Sequence, residues 1–303
     1  MPVKKRSDHE VESFEQRLEE YRRKLTLKTD VGFRVAGRLC SGPELEQLMN
    51  LLADVITGRK TGPFHDVQTQ KDLITVTGAK SVEPDLFGND EEDGIWCAEV
   101  QNESIEAGRI EVERAHLVLN GLPGGKPYSC LKKSHMIWMT DAIHIPGTGR
   151  PLFPDGQPVV RLETVDSATG RCFPDRTEVI LFNLRYKGNS KRGDLAHDFR
   201  ETDPKKMKNP LLRELMQRVK YTEKGEMEMC ELTRQIFQDG KTEGIQEGIQ
   251  EGIQKGIQKG EIRSSRKTAG KMLRKGLYSL QDIAELTSLS LSEVRRLQAE
   301  LNP

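Results

Sequence analysis

Apolar residues recur first at helical and then at strand spacing. After a highly charged leader over residues 1–24, the segment from Leu25 opens with a helical piece and turns at Ser41-Gly42-Pro43. Leu45, Leu48, Leu52 and Val55 then fall on one helical face. Beyond Gly58 the period shortens. Leu73 to Thr77 and Ser81 to Phe87 read as strands, Gly88 to Gly94 is dense in turn residues, and Ile95 to Gln101 is strand again. The last two strands form a predicted hairpin. Ser104 to Leu119 reads as a helix with a stripe at Ile110, Arg114, Leu117 and Val118, and apolar strands follow at Met136 to Ile143 and Val179 to Leu184. This order predicts a mixed α/β fold around one sheet.

From Pro204 onward the pattern is helical. A four-residue repeat, EGIQ-EGIQ-EGIQ-KGIQ-KG, spans Glu243 to Gly260. Four residues advance a helix by about 400°, so the isoleucine stripe drifts by about 40° per repeat. Each glycine costs roughly 1 kcal/mol in a helix interior. The segment is therefore either a marginal helix that pairs with a copy of itself or a low-complexity linker. Ser279 to Leu301 reads as two short helices, Ser279 capping the first and Ser290 with Glu293 forming a capping box for the second. Ile283, Leu286, Leu289, Val294 and Leu297 are its expected core. The predicted divisions are a leader to residue 24, a main domain over 25–235, the repeat over 236–262 and a helical hairpin over 263–303.

Composition narrows the function. The 303 residues carry 47 basic and 47 acidic side chains, so no net charge draws the chain to phosphates and nucleic-acid contact must rest on local clusters. Five scattered cysteines are neither a disulfide framework nor a zinc spacing and suit a reducing compartment. No apolar stretch follows the basic N-terminus and no run reaches the ~18 apolar residues of a membrane span, so a cytoplasmic protein without membrane contact is expected. The six histidines show no metal-ligand grouping, and Gly124-Gly125-Lys126 lacks the rest of a phosphate loop.

The chemistry resides in Pro84-Asp85 followed by Glu99-Val100-Gln101. Strand alternation turns Glu99 and Gln101 to one face, and a hairpin through Gly88–Gly94 returns Asp85 beside Glu99. Two carboxylates from neighbouring strands suit a hard divalent cation, Mg²⁺ or alternatively Mn²⁺ or Ca²⁺. Such an ion polarises a phosphate and lowers the pKa of an attacking water, which Gln101 would orient or whose phosphate it would hold. The pattern alone is short. Read without context, Asp85 is a surface acid beside a turn and Glu99 a solvated strand residue.

From Leu25 to Cys230 the sequence resembles the PD-(D/E)XK nuclease family transposases, the Rpn family of recombination-promoting nucleases. The pieces that carry the likeness are LTLKTDVGF, GAKSVEPDLFGNDEEDGIWCAEVQ, LAHDFRETDPKKM and RVKYTEKGEMEMC. The resemblance implies a restriction-endonuclease-like core and Mg²⁺-dependent DNA cleavage linked to transposition or recombination. It implies metal ligation by Asp85 and Glu99, a catalytic Gln101, and an acid from the first helix matched by Asp30. Departures are Pro84, where many relatives carry an apolar residue, and Ala115 beside Arg114, where an aromatic is common. The alternative is a nuclease fold that no longer cuts and serves as a DNA-binding or protein-interaction module.

Candidate DNA contacts are Arg114, then Lys187 and Arg192 in the cluster around residues 185–192. In the tail they are Arg266 and Lys267, within a stretch of six basic residues and no acid from Arg263 to Lys275, and Arg295 with Arg296 on the last helix. The final hairpin reads equally as a helix-turn-helix and as an oligomerisation device. A homo-oligomer formed through the tail is expected.

Overall fold

The computed structural model describes residues 19–73, 81–92, 94–102, 105, 107–145 and 147–301. The chain divides into two compact units, Met1–Thr233 and Arg234–Pro303. In the first, α1 (Asp30–Arg38) and α2 (Gly42–Thr57) precede β1 (Phe64–Thr69), β2 (Leu86–Asp90) and β3 (Ile95–Gln101). Then come α3 (Ala107–Asn120), β4 (Ser134–Thr140), β5 (Val159–Leu162), β6 (Thr177–Asn183), α4 (Lys191–Arg200) and α5 (Pro210–Tyr221). The helix α6 (Glu223–Lys275) carries the boundary between the units, and α7 (Leu280–Thr287) and α8 (Leu291–Leu301) complete the second. Among the described residues no helix is long and apolar enough to cross a membrane.

The six strands form one mixed sheet in the order β1-β2-β3-β4-β6-β5. β2 and β3 are the expected antiparallel hairpin, whereas β3, β4 and β6 run parallel. Parallel strands need crossovers, and α3 supplies the one from β3 to β4. With helices on both sides, the central strands are buried on both faces, which is why Met136 to Met139 and Ile180 to Phe182 are continuous apolar runs. Trp96, Ala98, Val100, Met139 and Phe182 pack against residues of α1, α2, α4 and α5. Ile95, Cys97, Met136, Trp138 and Leu181 pack on the other side with Ile110 and Leu117 of α3.

Several boundaries differ from the sequence expectation. The strand expected over Ser81 to Phe87 begins only at Leu86 and extends through Gly88 to Asp90, because Pro84-Asp85 leads into it in irregular backbone. β1 escapes the pattern because its pairing shifts between His65 and Gln68 and Asp66 has φ +54°, a bulge that breaks alternation. β5 is a four-residue edge strand. The strand expected from Leu73 to Thr77 falls on residues outside those described, except Leu73, which is not in a strand. α3 starts at Ala107 rather than Ser104, and β4 ends at Thr140, short of Ile143.

In the second unit the tetrad repeat lies within α6. Ile245, Ile249, Ile253 and Ile257 are each more than half exposed. The small tail core contains Ala269, Ile283, Leu289 and Val294, with Leu297 packed against it. Leu286, expected there, is instead 66% exposed, because it lies off the face of α7 that carries Ile283.

Candidate active site

The geometry begins with strand register. Leu86 pairs with Ala98 and Phe87 with Cys97, and Asp85, one residue before the strand, meets β3 through its Oδ2, which accepts the Val100 N–H. Cys97 belongs to the core on the α3 side of the sheet, and alternation along β3 puts Glu99 on that same side. Asp85 and Glu99 are both 2% exposed. The solvated reading of either acid is thereby excluded.

Asp85 is locked from two directions. The Val100 backbone N–H donates to its Oδ2 at 3.0 Å, and Arg34 of α1 donates to its Oδ1 at 3.1 Å. The Asp85 and Glu99 carboxyls are close enough to perturb one another. Burial pushes the Asp85 carboxyl above its ordinary range, with Arg34 acting against it. Glu99 is pushed well above, first by burial and then by the charges of Asp85 and Glu113. Like charges held together out of water share a proton.

Two residues of α3 that the sequence reading missed complete the group. Arg109 donates from Nε to Glu113 Oε1 at 2.8 Å and from Nη1 to Gln101 Oε1 at 2.6 Å, and its Nη2 lies 3.9 Å from Glu99. Its guanidinium carbon lies 5.2 Å from the centroid of the Trp138 ring, a cation–π contact. Glu113 is 6% exposed, and burial raises its carboxyl pKa against the pull of Arg109. The helical spacing of Arg109 and Glu113 is legible in the sequence as an i, i+4 pair. Nothing in the sequence says that it faces the sheet. Arg34, Glu83, Glu99, Gln101, Arg109 and Glu113 line an open cleft of about 600 Å³.

The other candidates sit as follows. Asp30 is linked to the pair through an ion pair with Arg34, its Oδ1 2.8 Å from Nε, and its side chain is 46% exposed. Among the described residues no group of three or more His, Cys, Asp or Glu side chains is arranged to hold a metal. Arg114 is engaged by Asp175 and does not line the cleft. Arg192 donates to the carbonyls of Val55 and Ile56 at the end of α2, both at 3.2 Å, and lines a separate depression with Arg59, Lys60 and Lys191. Lys187 is exposed. In the tail, Arg266 lies 3.8 Å from Glu293, and Lys267 and Arg295 are exposed.

Comparisons with protein-family models, with curated proteins and with solved structures found no match to this chain.

Proposed function

We propose that the first unit is a metal-dependent phosphodiester hydrolase with a PD-(D/E)XK core, acting on DNA. The observation that carries this reading is the burial of Asp85 and Glu99 side by side at the ends of adjacent strands, beside an open cleft. Four carboxylates (Asp30, Asp85, Glu99, Glu113) meet two guanidiniums (Arg34, Arg109), a surplus of two negative charges once the proton shared by Asp85 and Glu99 is released. A purely structural ion-pair network has no use for such a surplus, whereas one divalent cation neutralises it. Two protein carboxylates are enough for Mg²⁺, which keeps several waters and takes the rest of its shell from phosphate.

Asp85 and Glu99 would hold the ion, which when bound polarises the scissile phosphate and acidifies a water. Arg34 and the Val100 N–H keep Asp85 in the orientation required. Because a guanidinium only donates, Arg109 must take the amide oxygen of Gln101. Gln101 Nε2 also donates to the Asn102 carbonyl at 3.4 Å, which leaves one N–H to offer, a donor suited to a phosphate oxygen rather than an acceptor suited to a water proton. Arg109 supplies at the cleft the positive charge that Gln101 cannot.

The alternative, a fold that binds DNA without cutting, draws on Gln101 standing where the wider superfamily places lysine. A plasmid-nicking assay separates the two. The full chain is expected to relax supercoiled plasmid with Mg²⁺ and not with EDTA, and Glu99→Gln is expected to abolish the difference. Equal nicking by Glu99→Gln and the unaltered chain, or none by either, defeats the enzymatic reading.

A further inference from the structure

The basic charge that the whole chain lacks is concentrated in its last 41 residues. Residues 263–303 hold eight Lys and Arg against four Asp and Glu, within a chain whose net charge is zero. Among the described residues, Arg263, Lys267, Lys271, Arg274, Lys275 and Arg295 enter no ion pair, so the fold does not spend this charge internally.

The same residues form a three-helix unit. The end of α6 contributes Ala269, Met272 and Leu273 to a core shared with Leu280, Ile283 and Ala284 of α7 and Val294 and Leu297 of α8. α7 begins with a closed capping box between Ser279 and Asp282. Three residues, Ser288 to Ser290, join α7 to α8, and Ser288 adopts the left-handed conformation at φ +55° that reverses the chain in so short a turn. Ser290 caps α8, its side chain and backbone both bonded to Glu293.

The orientation of α8 decides the reading. Val294 is fully buried and Leu297 half-buried, which turns Ser292, Arg295, Arg296 and Ala299 outward in one stripe at positions i, i+3, i+4 and i+7. Two small residues flank two arginines; Arg295 enters no ion pair among the described residues, and Arg296 makes a surface i, i+4 pair with Glu300 at 3.1 Å that a phosphate can replace. Arg266, at the flank of the α6 segment, lies beside the first turn of α8. A short helix presenting arginines from its exposed face, with further cations on the supporting helix, matches a DNA major groove flanked by phosphates in chemistry and dimensions.

We propose that this tail unit is a duplex-DNA docking module, with α8 entering the major groove through Arg295 and Arg296 and the basic end of α6 contacting the backbone. It does not rest on the carboxylate pair of the first unit.

The test is fluorescence anisotropy of a labelled 30-base-pair duplex with the full chain in EDTA, across a salt series, alongside sedimentation velocity. The expected result is binding that weakens steeply with salt. Arg295→Ala/Arg296→Ala should weaken it by about tenfold or more, and Lys267→Ala/Lys271→Ala should lower the slope of log affinity against log salt by about one to two. Binding is measured without metal, so failure of the nuclease reading leaves this expectation standing. No binding by the unaltered chain, or equal affinity in both double variants, overturns the proposal. So does a changed sedimentation coefficient in the Arg295/Arg296 variant with unchanged DNA affinity, which assigns α8 to a protein–protein contact.

Discussion

Asp85→Asn is expected to lower Mg²⁺-dependent nicking by about a thousandfold while leaving thermal stability unchanged or raised. The first part follows from losing one of two carboxylate ligands, since metal polarisation of a phosphate is worth several kcal/mol and each 1.36 kcal/mol is tenfold in rate. The second follows from burial. Asp85 is 2% exposed and its charged form is penalised by desolvation more than Arg34 repays. Asparagine keeps an oxygen to accept the Val100 N–H and removes the charge, and Arg34 retains Asp30. Nicking assays paired with thermal melts of both proteins check this. A variant that loses stability together with activity would mark Asp85 as a structural ion-pair partner instead.

Arg34→Met is expected to have the largest effect on folding. It removes one of the two cations that hold the carboxylate surplus, and breaking a buried pair from one side costs about 3 kcal/mol. The loss should depend on pH in a defined direction. Without Arg34 the folded-state pKa of Asp85, already above the ordinary 3.8, rises further. A carboxyl that binds its proton more tightly when folded loses stability as pH climbs from its unfolded value through its folded one. The penalty is therefore larger at the higher of two pH values, a neutral one, and shrinks at the lower, acidic one. Mg²⁺ should also reduce it, by placing another positive charge against Asp85. Urea melts at the two pH values, with and without Mg²⁺, provide the measurement. A loss equal under all four conditions contradicts the charge surplus.

The carboxylate pair was legible in the sequence because it depends on local rules. The alternation of Ile95 to Gln101 and a turn rich in Gly, Asn and Asp fix a hairpin, and the hairpin brings Asp85 to β3. What lay outside those rules was lost. Arg34 and Arg109 come from helices on opposite sides of the sheet, and their convergence depends on helix placement that no local spacing encodes. Arg114 was the more conspicuous arginine in the α3 pattern, yet it lies five residues past Arg109, out of the cleft and against Asp175. β1 was missed because a bulge defeats alternation, and β5 because four residues at a sheet edge carry too little pattern. In the tail, capping boxes at Ser279 and Ser290 marked both helix starts correctly, since caps are contacts of a residue with its own neighbours. Leu286 was misplaced because helical periodicity does not tell which of two adjacent faces is covered.

The central claim is that Asp85 and Glu99 together bind one divalent cation. Isothermal titration of the full chain with Mg²⁺ and with Mn²⁺, repeated on Asp85→Asn and Glu99→Gln, tests it without requiring any substrate. The expected result is a single site in the unaltered chain, with proton release on binding because the Asp85–Glu99 pair must give up its shared proton, and no measurable site in either variant. Unchanged heats in the variants, or no binding by the unaltered chain, would contradict the account.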